Sequence, residues 1–290
     1  MNNRNVSIRF WGTRGSVPSP GRCKTRYGGN TSCVEVVLPD GRLIILDAGT
    51  GIRELGNDLI RRSRKINATI LLSHYHWDHI QGLPFFAPAY NRAHTLTVCG
   101  CRHAQFPLDK IFSSQMESIH FPVKSSALAA DIRFREITPS TDAIDGVGLA
   151  VLRANHPGMT FAYALSCDNR KIVYMTDNEL LPRSREGLSH ISFNRDAFRL
   201  FIKGADLLIH DAQYSDREYQ AKKGWGHSSW KEAVRLGVES EVKHLILFHH
   251  DPDHADRVID TQVLQCREII RKSAAPMQCS AAQEGKTVRL

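Results

Sequence analysis

The sequence predicts an α/β protein in which strands and helices alternate along one large domain. Three observations support this fold class. The 290 residues are 42% hydrophobic, which is enough to bury a full core. Short apolar runs rich in β-branched residues recur along the chain and are bounded by glycine, proline, asparagine or aspartate. Helical patterns lie between several of these runs, as expected of sheets covered by helices. We therefore expect residues 1–290 to form a single domain.

The first third of the chain predicts four strands and one helix. The turn at 39–41, Pro-Asp-Gly, joins two of the strands as a hairpin. Gly49 and Gly51 lead into a helix through Ile52, Leu55 and Leu59, and the basic run at 61–65 is expected at its exposed end. The four strands are predicted at 6–10, 32–38, 42–47 and 68–72.

The remainder of the chain predicts a second series of strands. Residues 103–125 mix aromatic and polar side chains, which predicts a helix and a loop that either overhang a site or pack in the ordinary way. A further helix follows Gly226, with Ser228 or Ser229 as its N-cap. The strands are predicted at 95–99, 132–137, 147–153, 160–165, 171–174, 205–209 and 244–248, followed by a helix at 260–271 and a terminal strand at 286–290.

A cluster of metal-binding residue types follows the strand predicted at 68–72. Three histidines and a carboxylate, His74, His76, Asp78 and His79, fall within six positions. Imidazole nitrogen and carboxylate oxygen are donors that suit zinc, manganese or iron. A tight turn can direct His74 and His76 to one ion and Asp78 and His79 to another, so the spacing predicts a metal site at this strand end.

Four motifs together resemble the metallo-β-lactamase superfamily and, within it, the phosphodiesterase branch that includes ribonuclease Z and small cyclic phosphodiesterases. The motifs are FWGTRGS at 10–16, GGNTS at 28–32, LDAGTG at 46–51 and HYHWDH at 74–79. The resemblance runs nearly from end to end. It implies an αββα sandwich, in which two mixed sheets pack face to face with helices outside and the metal centre lies where strand-end loops meet.

The resemblance also implies a complete set of metal ligands. Two divalent ions are expected, most simply zinc, although manganese or iron fits the same donors. Glu179 is the alternative to Asp177 as the carboxylate between the two ions. His250, one position later in the chain, is the alternative to His249 as the last histidine ligand. The implied ligands are His74, His76 and His156 for one ion, Asp78, His79 and His249 for the other, and Asp177 between the two.

Five further residues receive expected roles beside the ligands. Asp47 is expected to support the metal loop from behind, and His210 and Asp211 to form hydrogen bonds around the site. His227 precedes a helix N-terminus, where it either protonates a leaving oxygen or merely caps and packs. Arg14 lies near two glycines and either binds a phosphate or stabilises a turn. By contrast, His254 lies in a charged, turn-rich segment and is expected to be exposed to solvent.

The resemblance implies a reaction as well as a site. We expect a hydroxide shared by the two ions to attack a phosphodiester, with Asp78 orienting it and His227 as the acid. Only 21 positions separate His156 from Asp177, and the sequence offers no clear candidate for the tRNA-grasping insertion typical of bacterial ribonuclease Z. A small or cyclic nucleotide-like substrate is therefore expected. The alternatives are RNA 3′-end processing, a lactonase or thioesterase, and a non-catalytic nucleic-acid-binding or regulatory module.

Charge and cysteine content bear on partners and location. The net charge is +8, and the first 27 residues hold six basic side chains and no acidic one, so an anionic substrate would be attracted, with RNA as an alternative partner. The seven cysteines are scattered, which favours reduced, mostly buried thiols and a cytoplasmic location. We expect neither a signal peptide nor a membrane span, and a homodimer is compatible with the sequence.

Overall fold

The structure is a computed structural model, and it describes residues 5–139, 141–144, 146–180 and 195–290. Within this part of the chain, the fold divides into two compact units. Each unit has a seven-stranded mixed sheet and helices of its own. The single domain predicted over 1–290 stays a prediction. The first unit takes in Met1–Pro20, Gly28–Thr138 and Gln283–Leu290, and the second takes in Gly21–Tyr27 and Pro139–Ala282.

The sheet of the first unit places several strand ends at one edge. Strands β1 to β3 are antiparallel neighbours, whereas β3 to β6 run parallel. It follows that β1, β3, β4 and β5 all point the same way, so the loops that follow them leave from the same edge. The strand order is β14-β1-β2-β3-β4-β5-β6, formed by β1 Ser7–Gly12, β2 Cys33–Val37, β3 Leu43–Leu46, β4 Asn67–Leu71, β5 Thr95–Cys101, β6 Asp131–Ile137 and β14 Thr287–Arg289.

Helix α1, Gly51–Arg62, covers this sheet as the sequence predicts. Its apolar positions Ile52, Leu55 and Leu59 are buried in one cluster with Ile45 and Ile70 of the strands. The predicted hairpin between β2 and β3 is confirmed. The segment at 103–125 contains one helix and several exposed side chains. The other helices of this unit are α2 Trp77–Ile80 and α3 Leu108–Ser114, with short 3-10 turns at Leu83–Phe85, Ala87–Tyr90 and Ser125–Ala127.

The sheet of the second unit gathers strand ends in the same manner. Strands β7 to β10 are antiparallel neighbours, and β10 to β13 run parallel. As a result β8, β10, β11 and β12 share one direction, and their following loops share one edge. The order is β13-β12-β11-β10-β9-β8-β7, formed by β7 Thr141–Ile144, β8 Val147–Arg153, β9 Phe161–Cys167, β10 Arg170–Met175, β11 Leu207–Asp211, β12 His244–Phe248 and β13 Gln278–Ala281.

In the described part of the second unit, four helices accompany the sheet, and the sequence predicted two of them. Helix α6 begins after Ser229, whose side chain accepts a hydrogen bond from the Glu232 backbone, so the predicted N-cap is confirmed. Helix α7 is longer than the predicted 260–271. Within the described residues, no helix is long and apolar enough to cross a membrane. The four helices are α4 Arg195–Ile202, α5 Asp216–Ala221, α6 Trp230–Glu239 and α7 Asp256–Ser273.

The expectation that His254 is exposed is wrong. The residue is only 6% exposed, because α5 lies beside it. Its Nε2 atom lies 2.9 Å from Oε1 of Glu218, and the other carboxylate oxygen of Glu218 accepts from the Ser215 backbone at 2.7 Å in the capping box of α5. Partial burial by itself would raise the pKa of Glu218, but the hydrogen bonds from His254 and Ser215 lower it to about 2.

The lowered pKa of Glu218 predicts an acid-dependent loss of stability. Because the folded-state pKa lies below its ordinary value of 4.5, the carboxylate stabilises the fold above about pH 4.5, and this contribution is lost as the pH falls toward about 2. We expect Glu218→Gln to lower the free energy of unfolding at pH 6 and the difference from wild type to shrink at pH 3. Denaturant titrations of metal-free protein at several pH values measure this difference in the free energy of unfolding.

The exposed Glu117 provides the matched control for this experiment. Glu117→Gln should leave the free energy of unfolding unchanged at every pH. A Glu218→Gln defect of the same size at pH 6 and pH 3 would contradict the assignment.

Candidate metal centre

The loop after β4 is held in place by a buried carboxylate. Asp47 directly follows β3, is fully buried and adopts a left-handed backbone with φ of 59°. It accepts hydrogen bonds from the Ser73 backbone at 2.7 Å and from the Ser73 hydroxyl at 2.8 Å. Its Oδ2 atom also lies 2.7 Å from Nδ1 of His79. Asp47 therefore has the supporting contacts that the sequence analysis expected of it.

The Asp47 contact determines which nitrogen of His79 faces the site. Because Nδ1–H donates a hydrogen bond to the Asp47 carboxylate, the lone pair of the ring lies on Nε2. That Nε2 atom lies 3.2 Å from Oδ2 of Asp78. Two acceptors at this distance repel each other unless a cation lies between them. A zinc ion bound to both at about 2.0–2.1 Å with tetrahedral geometry would separate them by about 3.3 Å, so the pair fits a metal ion.

The histidines of this loop are in mutual ring contact. The centroid of the His74 ring lies 4.5 Å from that of His76 and 4.2 Å from that of His79. Nδ1 of His74 lies 3.0 Å from the Ser73 hydroxyl, which already donates to Asp47 and so accepts here. His74 and His76 can offer ligand atoms within 4.8 Å of one another, and Asp78 and His79 can do the same.

The loop after β1 contacts Asp78 and contains the buried Arg14. The Ser16 backbone N–H donates to Oδ2 of Asp78 at 2.7 Å, and Ser16 has a left-handed φ of 65°. Arg14 is fully buried, and its Nε donates to the Gly28 carbonyl at 2.8 Å. This geometry favours the turn-stabilising alternative for Arg14 over the phosphate-binding one. Ser16 was not identified from the sequence, because a backbone donor leaves no residue-type signal.

In the second unit, Asp177 presents its two carboxylate oxygens to different histidines. It follows β10 and has a left-handed φ of 46°. Its Oδ1 atom lies 3.2 Å from Nε2 of His249, and its Oδ2 atom lies 3.7 Å from Nε2 of His156. Thr176 also donates to Oδ1 at 2.7 Å. A carboxylate that faces one imidazole with each oxygen has the arrangement of a bridging ligand.

The two histidines that face Asp177 are oriented through their other nitrogen. Nδ1 of His156 donates to the Gly226 carbonyl at 2.9 Å, and Nδ1 of His249 lies 3.0 Å from Oε1 of Gln213. Both rings therefore carry the proton on Nδ1 and present Nε2 to Asp177. His249 also has a left-handed φ of 60°. A ligating histidine normally donates its second N–H to an oxygen in this way, so the donors fit a divalent metal ion.

The two alternative ligands from the sequence analysis, Glu179 and His250, form hydrogen bonds to other groups. Glu179 accepts hydrogen bonds from Tyr219 at 2.7 Å, Gly224 at 2.9 Å and Gly226 at 3.0 Å, and so clamps a loop. His250 places Nε2 3.0 Å from the Ala282 carbonyl. The geometry therefore favours Asp177 over Glu179 and the neighbouring His249 over His250.

His227 forms a dyad with Asp211 at the end of β11. Its Nδ1 lies 2.7 Å from Oδ2 of Asp211, and its ring stacks on His249 with centroids 5.0 Å apart. The other oxygen of Asp211 accepts from the backbone of Gln213 at 3.0 Å and of Ser228 at 3.2 Å. Asp211 thus fixes both the ring and the loop of His227.

The same region also offers a second set of metal donors. Asp177, Asp211, His227 and His249 can place one ligand atom each within 4.8 Å of one another, so His227 itself has the surroundings of a ligand as well as of an acid. His210 lies outside this group. Its Nδ1 lies 2.6 Å from the Asp211 carbonyl, and burial lowers the pKa of its imidazole.

Weakening the support of the metal loop should weaken metal binding. We expect Asp47→Asn, which keeps the volume but removes the negative charge beside His79, to lower metal affinity by about 10-fold to 100-fold. Competition with a chromophoric chelator measures the affinity. Asp58→Asn on α1 is the control, because Asp58 pairs with arginines outside the metal loop. Unchanged affinity in folded Asp47→Asn would show that Asp47 has no such role.

Comparison with known proteins agrees with this fold. The protein-family model described as "Beta-lactamase superfamily domain" matches residues 42–250, which is well over half of the chain. A protein named Ribonuclease Z from Metallosphaera sedula is 27% identical over 301 residues, covering 95% of this chain and 98% of that protein.

Two crystal structures of similar proteins extend over nearly the whole chain. The metallo-β-lactamase fold protein YhfI from Bacillus subtilis has a TM-score of 0.71 at 19% identity and covers 99% of this chain and 100% of its own. A diphosphatase from the PhnP family has a TM-score of 0.70 at 16% identity and covers 98% of each chain. The predicted fold class is therefore confirmed. This chain belongs to the β-lactamase superfamily and has the metallo-β-lactamase fold.

Proposed function

We propose that the protein is a dinuclear metal-dependent hydrolase that cleaves a phosphodiester bond in a small or cyclic nucleotide-like substrate. The observation that carries this proposal is Asp177, whose two oxygens face His249 and His156 separately. A bridging carboxylate is needed only if there are two ions to bridge. The proposed ligands are those expected from the sequence: His74, His76 and His156 for one ion, Asp78, His79 and His249 for the other, and Asp177 for both.

The donor chemistry supports hard or borderline divalent ions. All seven proposed ligands offer nitrogen or oxygen and none offers sulfur, so zinc, manganese and iron all suit the set, with zinc as the first expectation. When bound, two such ions supply a hydroxide at neutral pH and offset the negative charge of a phosphodiester. A cytoplasmic location is part of the proposal, and five of the seven free cysteines are buried, in keeping with structural thiols.

The remaining chemistry belongs to the side chains of the chain itself. The Ser16 N–H donates to Oδ2 of Asp78 and fixes that carboxylate, so Asp78 can accept a hydrogen bond from the attacking water and orient it. His227 donates a proton to the departing oxygen. Asp211 holds its Nδ1 at 2.7 Å, which sets the direction of the ring and stabilises the charged imidazolium.

The chain between His156 and Asp177 supports a small substrate. Residues 157–176 form only β9, β10 and short connections, so this stretch carries no long insertion. RNA 3′-end processing is the second candidate, and the observation that favours it is the name of the relative from Metallosphaera sedula. The acyl-hydrolase and non-catalytic alternatives lack such an observation. An anionic substrate also fits the net charge of +8 better than a neutral ester does.

A substrate panel tests the proposal. We expect metal-loaded protein to contain about two equivalents of transition metal by elemental analysis, because one bridging carboxylate serves two sites. It should hydrolyse 2′,3′- or 3′,5′-cyclic nucleotides far faster than pre-tRNA or a homoserine lactone. Asp177→Ala should lose at least one ion and most of the activity.

Three results would contradict different parts of this proposal. Metal content near zero in protein purified without chelators would refute the dinuclear centre. Efficient, site-specific cleavage of pre-tRNA at its 3′ end would establish the second candidate instead. Full activity with two ions in Asp177→Ala would show that another carboxylate forms the bridge.

The proton-donor role of His227 predicts a defect that depends on the leaving group. We expect His227→Ala to keep its metal and to lose about 10²-fold to 10⁴-fold in rate on a 3′,5′-cyclic nucleotide, whose leaving alkoxide needs a proton. On bis(p-nitrophenyl) phosphate the loss should be much smaller, because p-nitrophenolate departs without one. Steady-state rates on the two substrates provide the measurement.

The exposed His120 supplies the control, and His120→Ala should behave as wild type. Equal losses on both substrates would assign His227 a structural role. Loss of metal in His227→Ala would instead make it a ligand, as its place beside Asp177 and His249 allows.

A further inference from the structure

The four tryptophans of the chain divide into two buried and two exposed residues. Trp11 and Trp230 are 9% and 7% exposed, and each belongs to the apolar core of its unit. Trp77 and Trp225 are 76% and 61% exposed. A single exposed apolar side chain is ordinary and needs no explanation. Here, however, the core accounts for two tryptophans and leaves the other two without a packing role.

Both exposed tryptophans lie beside residues of the proposed site. Trp77 stands between the ligands His76 and Asp78 at the start of α2. Trp225 precedes the proton donor His227 by two positions. An exposed tryptophan therefore lies next to proposed site residues in each of the two units, beside different residues and in a different local structure.

The backbone at Trp77 is fixed by its neighbours. The Trp77 carbonyl accepts from the Gln81 N–H at 2.8 Å, and the His76 carbonyl accepts from the His79 N–H at 3.0 Å. His79 is in turn held by Asp47. The indole therefore projects into solvent from a rigid loop whose position is determined by buried contacts, so its exposure is not a consequence of a loose segment.

The backbone at Trp225 is fixed by Glu179. The flanking N–H groups of Gly224 and Gly226 both donate to this buried carboxylate, at 2.9 Å and 3.0 Å. Gly226 has φ of +85°, and a side chain there would lie 2.1 Å from the His156 ring. The loop therefore packs directly on a proposed ligand and holds its indole outward.

We propose that Trp77 and Trp225 stack against nucleobases, so that the substrate of this site is a nucleotide or an oligonucleotide rather than a sugar or lipid diester. This inference rests on the proposed phosphodiesterase function. A rigid, exposed indole offers a flat apolar face at low entropic cost, and every base has a complementary face. A small diester without a flat ring, such as a glycerol phosphate, offers no face for either indole to stack against.

A third exposed aromatic side chain lies eight positions after Trp77 in the first unit. Phe85 is 54% exposed, and its ring meets Phe121 edge-on at 5.3 Å and 88°. Part of the Phe85 ring therefore remains in solvent. Beside Trp225, Lys223 is only half-buried and suits a substrate that also carries phosphate, whereas Lys222 pairs with Asp251 at 3.3 Å.

Two cyclic phosphodiesters with and without a base test the proposal by activity. We expect Trp77→Ala and Trp225→Ala to raise KM for 2′,3′-cyclic AMP by about 10-fold, within the range that alanine substitution gives for one stacked base, with kcat largely kept. Glycerol 1,2-cyclic phosphate presents the same five-membered ring without a base, so its KM should not change. Trp77→Phe and Trp225→Phe should retain most of the wild-type affinity.

Leu264→Ala on α7 is the control, because Leu264 is 65% exposed outside the site and should leave both KM values unchanged. Each tryptophan is judged separately. Equal losses on the two cyclic diesters, or no loss on 2′,3′-cyclic AMP, would overturn the stacking role of that residue.

A binding measurement separates this inference from the proposed function. In Trp225→Phe the exposed reporter is Trp77, and in Trp77→Phe it is Trp225. Saturable fluorescence quenching by adenosine 5′-monophosphate in both variants, and none by glycerol phosphate, would support stacking without any turnover. Absence of quenching would overturn it. Wild-type, metal-loaded protein that quenches but cleaves neither cyclic diester would refute the phosphodiesterase and leave base binding standing.

The double variant distinguishes a mononucleotide substrate from an oligonucleotide substrate. If the substrate is a mononucleotide, Trp77→Ala combined with Trp225→Ala should weaken 2′,3′-cyclic AMP and a short adenylate oligonucleotide to the same extent. A larger loss on the oligonucleotide would identify a chain with several bases as the ligand.

Discussion

The direction of the strands is the constraint on which the candidate centre depends. In each unit, the strands that precede the ligand loops run the same way, so loops that are distant in the sequence emerge at one edge of a sheet. At these ends the chain turns sharply, and Asp47, Asp177 and His249 adopt left-handed backbone conformations. Such conformations cost of the order of 1 kcal/mol each in non-glycine residues and persist where surrounding contacts enforce them. Here those contacts are the hydrogen bonds that also orient the ligands.

Buried carboxylates perform most of that orientation. Asp47, Asp211 and Glu179 are at most 1% exposed, yet each accepts at least three hydrogen bonds, which offsets the cost of removing its charge from water. The bond from Nδ1 of a histidine to an oxygen has a second effect, because it fixes the tautomer. His79, His156 and His249 all present Nε2 in consequence. The supporting groups therefore determine which atoms are ready to bind a cation.

The proposed function assigns three tasks to different side chains. Nitrogen and oxygen donors on strand-end loops are suited to hold the ions. The dyad of His227 and Asp211 is suited to move a proton, because the carboxylate stabilises the charged imidazole. Trp77 and Trp225 contribute neither donor nor proton, and their exposed indoles are suited to contact the part of a substrate that lies away from phosphorus. Rigid loops serve all three tasks, since each fixes the position of a side chain before a substrate arrives.

Features that depend on short spacing can be predicted from the sequence alone. The four proposed donors at 74–79 lie next to one another in the chain, so the sequence groups them. Strands such as β8 and β12 follow from apolar runs and were predicted with their observed bounds. The short strands β7 and β13 were missed because their polar and small residues carry no such pattern. The contacts that favour Asp177 over Glu179, pair His227 with Asp211 and bury His254 beside Glu218 appear only in the tertiary structure. These contacts join residues that are 16 or more positions apart in the chain. Strand order and helix packing bring such residues together, and a local sequence pattern carries no information about either.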